Sequence, residues 1–484
     1  MSDLQTLAKG GRTNFFGFLL RLAARLPFLF IAGRLYGAEA LGRFAYATIV
    51  VEFAAQLSTL GLKRGLAQQL SETKRPHVHV VWDGLLVGWI VAAVAAVILI
   101  CLPWLMFPNT PINGLDRFFP LIIFAIVGSD ISLAALAYRH DIGATVRARS
   151  IVEPWMISLA ALAFAFYSKR DGLILAYVLA LTAALVASLW PLLRAFGAPT
   201  GWRPRPVALL ALARRNVPLA GADAIEWGSR RLDLALLGLF MPPAVVGIYY
   251  VAQQVASLPQ KLKTSFDPIL GPVITRNLAE GNLEAVAAQV RQVGFWIIAA
   301  QAGIALALGI TGEAVMGLVG PNFVGGTGAL AFLLLAEVVA ATAVVAESAL
   351  VYIARHRNLM ISLVMIATQI GATVGLIFAM RAMNLSLIVQ GAAPAIGLML
   401  ALGLSSILKA RLLSKLLSAP VSPWRWALVP AAAFAIIVGT VLTKIPEWGE
   451  LIFGVPLILL SYGVIIWYRG FGPVDRMLFR IKNR

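Results

Sequence analysis

The chain has 484 residues, 60% of them hydrophobic and 13% charged, with a net charge of +18 and a mean hydropathy of +0.85. A soluble domain carries about 25% charged residues, so the composition excludes one and points to a polytopic membrane protein. The lone cysteine, Cys101, excludes a disulfide and a Cys-based metal site.

Apolar segments long enough to span a bilayer recur from end to end. They run over 13–33, 44–66, 81–105, 118–138, 150–168, 173–193, 216–240, 244–268, 288–312, 327–354, 359–380, 384–408, 426–443 and 450–468. Helices are expected throughout, because an open strand edge leaves its backbone unsatisfied in hydrocarbon. The fold class expected is all-α, with about fourteen transmembrane helices. No soluble domain fits between them. The polar opening MSDLQTLAKGGRTNFFG has no cleavage-type signal, so the first span is expected to be retained.

An even number of spans puts both termini on one side. With the termini placed in the cytoplasm, 29 of the 40 Lys and Arg fall in cytoplasmic segments, 7 outside, and 4 deep in spans: Arg21, Arg25, Arg230 and Arg231. This bias accounts for the basic charge by topology and removes the need for a nucleic-acid partner.

The chain also repeats itself. GRLYGAEALGRFAYA (33–47) lies over GLFMPPAVVGIYYVA (238–252) at an offset of 205, pairing Gly33 with Gly238, Gly42 with Gly247, Phe44 with Tyr249 and Ala47 with Ala252. The repeat sets span 1 opposite span 7, so two six-helix lobes share orientation about a pseudo-two-fold along the membrane normal, a plan that puts a substrate site between repeats. The expected division is 1–196 for the N-lobe, 197–215 for a cytoplasmic linker, 216–412 for the C-lobe, and 413–484 for spans 13 and 14 with a basic tail.

Span 7 opens as GADAIEWGSRRLDLALLGLF. Asp223, Glu226, Arg230 and Asp233 fall within an arc of roughly 80° on one helix face, with Arg231 about 100° from Arg230. Each charge at mid-membrane costs about 2.5–3.5 kcal/mol, so these side chains face protein or a wet cavity. One reading is an internal ion-pair set, Glu226 with Arg230 at i,i+4; the other is a ligand site. In span 1, Asn14, Gly17, Arg21 and Arg25 share a face, and the two arginines repel mildly unless an anion or neighbouring carboxylates lie between them. Arg21 has snorkelling as its alternative. Pro27 follows, where a kink is expected. Span 2 carries Glu52, Gln56, Thr59 and Lys63 on one stripe, and its repeat partner carries Gln254, Ser257, Lys261 and Ser265 with Pro259 among them. Shared cavity walls or ordinary inter-helix hydrogen bonds both explain such stripes. Asp130, Glu153, Glu337 and Glu347 are isolated acids. No GxxxxGK[ST] and no HExxH pattern occurs, so neither ATP coupling nor a metal centre is expected, and no enzymatic constellation can be named.

With these residues in hand, the chain resembles the multidrug/oligosaccharidyl-lipid/polysaccharide exporter superfamily, and within it the bacterial Wzx-type oligosaccharide flippases. The resemblance rests on LAKGGRTNFFGFLLRLAARLPFLFIAGRLYGAEALGRFAYA, GLKRGLAQQLSE, SRRLDLALLGLFMPPAVVGIYYVAQQV and LVGPNFVGGTGAL. It implies a transporter of the inner membrane that turns an undecaprenyl-pyrophosphate-linked oligosaccharide between leaflets by alternating access, through a cationic cavity between lobes. Carried onto this chain, it implies Arg21, Arg25, Arg230 and Arg231 as pyrophosphate ligands; Asn14, Glu52, Gln56, Gln254 and Lys261 as polar cavity groups; and Asp223, Glu226 or Glu52 as ion-coupling acids. It implies no cofactor. The partners it implies are the polyprenyl-linked oligosaccharide, membrane lipid, and polysaccharide polymerase or ligase proteins. The same superfamily offers an ion-coupled multidrug exporter or a lipid II flippase as alternatives.

Overall fold

The computed structural model describes residues 26–473 and 475–478, without the side chains of 142, 222, 260–273, 477 and 478. Among the described residues there is no strand, and helices account for nearly all of the chain. The protein is all-α and crosses the membrane many times. Nine helical stretches among those residues are long and apolar enough to do so, and Leu428–Leu442 is a shorter apolar helix. They coincide with nine of the expected spans plus the thirteenth.

The remaining spans differ for local reasons. Most of the first lies outside the described residues. The fifth is a widened π turn, Val146–Val152, leading into a short helix, Glu153–Phe164. The seventh is broken in two, and the eighth extends into a helix of 37 residues whose second half is polar.

Contacts divide the described chain into two compact units, residues 26–247 and 248–478. The first contains α1 (Gly37–Ser58), α2 (Leu62–Glu72), α3 (His77–Cys101), α4 (Ile122–Tyr138), α5 (Glu153–Phe164), α6 (Gly172–Phe196), α7 (Pro206–Ser229), α8 (Leu232–Phe240) and the start of α9 (Pro243–Ala279). Pro27 lies in a short helical stretch from Leu26 that continues as a π turn, Ala32–Tyr36. α4 packs on α3, α6 and α1, while α7 lies against α1, α2 and α3. Small residues let the helices approach: Ala45, Ala47, Ala55, Ala92, Ala176, Ala180 and Ala184 are all buried. Leu62, Leu66 and Leu70 form the buried stripe of α2 at i, i+4, i+8.

Two separate polar clusters tie the ends of this unit. At one end Arg43, 6% exposed, pairs with Asp116 and lies 3.4 Å from Asp171, its guanidinium 4.7 Å over the Phe107 ring. Asn113 caps the short helix Gly114–Phe118 and also donates to Asp171. At the other end Arg75 and Trp202 Nε1 both donate to Asp83, and Arg215 pairs with Glu72 at 2.7 Å. Each cluster joins only loops that the alternation of spans assigns to the same face of the membrane.

The second unit is centred on α10 (Leu283–Ile310), whose Val286, Val290, Val293 and Ile297 are buried at helical spacing. It is followed by α11 (Gly312–Val319), α12 (Thr327–Ile353), α13 (Arg355–Ala382) and α14 (Ala393–Leu417), with α14 packed on both α12 and α13. The last two helices, α15 (Leu428–Leu442) and α16 (Val455–Ile465), pack on each other and on α10. Their chain end is fastened by Asp475, which accepts from Trp296 Nε1 at 2.6 Å and Arg425 at 2.7 Å.

Candidate functional site

The five ionisable residues of the seventh span sit where the helix stops. α7 ends at Ser229 and α8 begins at Leu232, with Arg230 and Arg231 between them. Arg231 leaves helical geometry (φ −120°, ψ 3°), and its N–H reaches back to the carbonyl of Gly228. Gly228 and Ser229 are poor helix formers, and two adjacent guanidinium groups favour separation, so the break falls here. Asp233, in the first turn of α8, lies where a helix N-terminus favours negative charge.

The break faces a second one. α1 and α2 are separated by a turn through Leu60 and Gly61, with Gly61 left-handed at φ +66°. A Cβ there would come within 2.5 Å of the Leu219 side chain, so both backbone and neighbour require glycine. The turn delivers two consecutive cations to different carboxylates. Lys63 Nζ lies 2.5 Å from Asp130 and donates to Gln56 at 3.0 Å. Arg64 donates to Glu226 at 2.7 Å and places its Nε 3.1 Å from Asp223.

Glu226 is shared. Its other oxygen accepts from Arg230 at 3.1 Å, so one carboxylate bridges two guanidinium groups. The Arg64, Glu226 and Arg230 side chains are each at least half exposed, whereas Asp223 is 8% exposed. Among the described residues neither oxygen of Asp223 has a hydrogen-bond partner, and its ion contact there is with Arg64. Beside them, Arg231 lies 3.7 Å from Glu52 and 5.2 Å over the Trp227 ring, and the Tyr177 hydroxyl donates to Glu52 at 2.6 Å. Deeper in the unit, Arg149 on the π turn pairs with Asp130 and with Glu153, the latter at 2.7 Å.

Among the described residues the result is an adjoining set of five cations (Lys63, Arg64, Arg149, Arg230, Arg231) and five acids (Glu52, Asp130, Glu153, Asp223, Glu226). The expected i,i+4 pair of Glu226 and Arg230 is present, and the Glu52, Gln56, Lys63 stripe is brought to the same place. Asn14, Arg21 and Arg25 lie outside the described residues, as does the side chain of Lys261. Gln254 is half-buried on α9 in the second unit. Among the described residues no three His, Cys, Asp or Glu side chains gather as a metal site.

Three members were not singled out from sequence. Arg64 and Arg149 were counted as cytoplasmic cations; the glycine after Arg64 and the glutamate four residues after Arg149 were the signals for a turn and a pair. Tyr177 sits in an apolar run and carries no local signal at all.

Residues 17–278, more than half of the chain, match the family model described as polysaccharide biosynthesis protein. No curated protein matches. Among solved structures, the chain is similar to the lipid II flippase MurJ in an inward closed conformation, at TM-score 0.72 and 11% identity, covering 97% of this chain and 99% of that one. It is also similar to an inward-facing multidrug resistance MATE family transporter of the MOP superfamily, at TM-score 0.63 and 13% identity over 85% and 95% of the two chains. A MOP superfamily transporter from Pyrococcus furiosus aligns at TM-score 0.56 and 13% identity over 86% and 96%. At such identities the likeness fixes the fold: that of MOP-superfamily transporters.

Proposed function

The chain belongs to the polysaccharide biosynthesis protein family, and we propose that it flips an undecaprenyl-pyrophosphate-linked oligosaccharide across the inner membrane by alternating access, with both termini in the cytoplasm. The observation that carries this reading is the state of the arginines at the α7–α8 break. Arg230 is 63% exposed and leans on one carboxylate at 3.1 Å; Arg231 is 36% exposed and 3.7 Å from its acid. Both ion pairs are open to solvent, and a phosphate with several acceptor oxygens can compete for their guanidinium groups.

The balance of charge adds a constraint. The ion pairs among the described residues balance in charge, so the reading looks to further arginines for the positive charge that a pyrophosphate needs. Arg21 and Arg25 of span 1 are the residues this reading assigns to that role, with Lys261 as a polar group of the cavity. Arginine suits the task because its planar fork donates two hydrogen bonds to a phosphate and stays charged. Gln56, Gln254 and Asn14 would meet sugar hydroxyls. Asp223, Glu226 or Glu52 would serve as the ion-coupling acid.

The experiment is deletion of the gene followed by complementation. Loss of surface polysaccharide, restored by the wild-type chain, supports the reading. Unchanged surface polysaccharide together with altered sensitivity to cationic drugs contradicts it.

A further inference from the structure

The segment between α6 and α7 of the first unit carries a second basic surface, distinct from the network above. After α6 ends at Phe196, residues 197–205 return to α7, and two staples hold them. Trp202 packs at 5.9 Å on Trp82 and donates to Asp83, and the carbonyl of Thr200 meets His79. Farther on, Arg215 pairs with Glu72, and Asn216 is buried against Gly65. Between the staples, Arg203, Arg205 and Arg214 are exposed, and no carboxylate among the described residues pairs with them.

α7 here is amphipathic in an unusual sense. Leu209, Leu212, Ala213 and Asn216 turn inward, while Val207, Leu210 and Val217 turn outward, Val207 at 82% and Leu210 at 68% exposure. An outward face of valine and leucine flanked by guanidinium groups is ill-suited to water and well suited to the headgroup boundary, where apolar side chains dip and cations stay with phosphates. Length agrees. α7 and α8 together cover 206–240, about 50 Å at 1.5 Å per residue, which exceeds a hydrocarbon core of about 30 Å. The span expected over 216–240 leaves the first ten residues of α7 outside that core. The Trp82–Trp202 pair beside them, and Arg194 stacked 4.8 Å over Trp190 at the end of α6, mark the level of the interfacial aromatic belt.

We propose that residues 203–217 form an interfacial element that binds anionic phospholipid headgroups through Arg203, Arg205 and Arg214, with Val207 and Leu210 inserted among the acyl chains. The occupant is the anionic leaflet itself. The site holds the start of α7 at fixed depth and so sets the depth of the α7–α8 break.

The test uses the full-length protein in nanodiscs of mixed phosphatidylcholine and phosphatidylglycerol, with the lipids retained on the protein counted by native mass spectrometry. The wild type retains phosphatidylglycerol preferentially, and R203Q/R205Q/R214Q loses that preference by about fivefold per arginine removed. An unchanged preference in the triple variant overturns the proposal, as does abolition of the wild-type preference by millimolar inorganic phosphate. A second measurement stands if the triple variant does not fold. In a Cys101→Ser background, a spin label at Leu210→Cys relaxes faster with oxygen than with a water-soluble nickel chelate. The opposite order puts the face in water, where an acidic protein would be its partner, and overturns the proposal.

Discussion

Gly42 of α1 and Gly247 of α9 face each other so closely that neither tolerates a methyl group. A Cβ on Gly42 would lie 1.8 Å from the carbonyl oxygen of Pro243, and one on Gly247 would lie 1.9 Å from that of Ala38. The contact is reciprocal: Pro243 follows Ala38, and Gly247 follows Gly42, by the same 205 positions that relate the sequence repeat. Two equivalent helix starts thus touch through equivalent atoms.

Gly42→Ala and Gly247→Ala should each destabilise the protein by about 1–3 kcal/mol, because backbone atoms must move to admit the methyl group. Thermal unfolding in detergent measures this. Gly371→Ala is the control: its Cβ would meet nothing within 4 Å on α13, so its melting temperature should stay level or rise.

Arg43→Met should cost about 3–5 kcal/mol, since it leaves Asp116, fully buried, without its closest cation. The expected signature is loss of folded protein with normal transport per surviving molecule. A stable Arg43→Met protein that fails to transport would instead assign this cluster a role in the substrate path.

Glu226→Gln releases both Arg64 and Arg230 from the carboxylate they share. Binding of a pyrophosphate-headed lipid to the purified protein should tighten, by up to about fivefold for exposed pairs of this kind. Weaker binding would mean that Glu226 shapes the site rather than competing for it.

Tyr177→Phe removes the hydrogen bond that holds Glu52, at a cost of about 1 kcal/mol. Its effect on transport should vanish in a Glu52→Gln background, because the two side chains act through one contact. Independent, additive losses would separate them.

Much of the architecture is legible in the sequence because hydrocarbon imposes it. Nine of the expected spans coincide with long apolar helices, since length and apolarity are read directly from residues. The Glu226–Arg230 pair is legible because i,i+4 spacing is a local rule. The helix break between them and Leu232 is not, although Gly228 and Ser229 hint at it, because the apolar run continues on both sides. Nor is the pairing of Lys63 with Asp130, of Arg64 with Asp223, or of Tyr177 with Glu52. Those partners are 67, 159 and 125 positions apart, and only packing of α1, α2, α4, α6 and α7 unites them. An acid that looks isolated along the chain, such as Asp130, is in the fold paired with two cations, Lys63 and Arg149.

The central claim is that guanidinium groups of spans 1 and 7 carry the pyrophosphate of a lipid-linked oligosaccharide. Its most direct test is the rate at which purified protein in proteoliposomes moves such a lipid between leaflets, compared for the wild type, Arg21→Ala/Arg25→Ala and Arg230→Ala/Arg231→Ala. Movement should be lost in both alanine pairs and partly retained when lysine replaces arginine. Alanine pairs that move the lipid at the wild-type rate, at equal protein abundance, would contradict it.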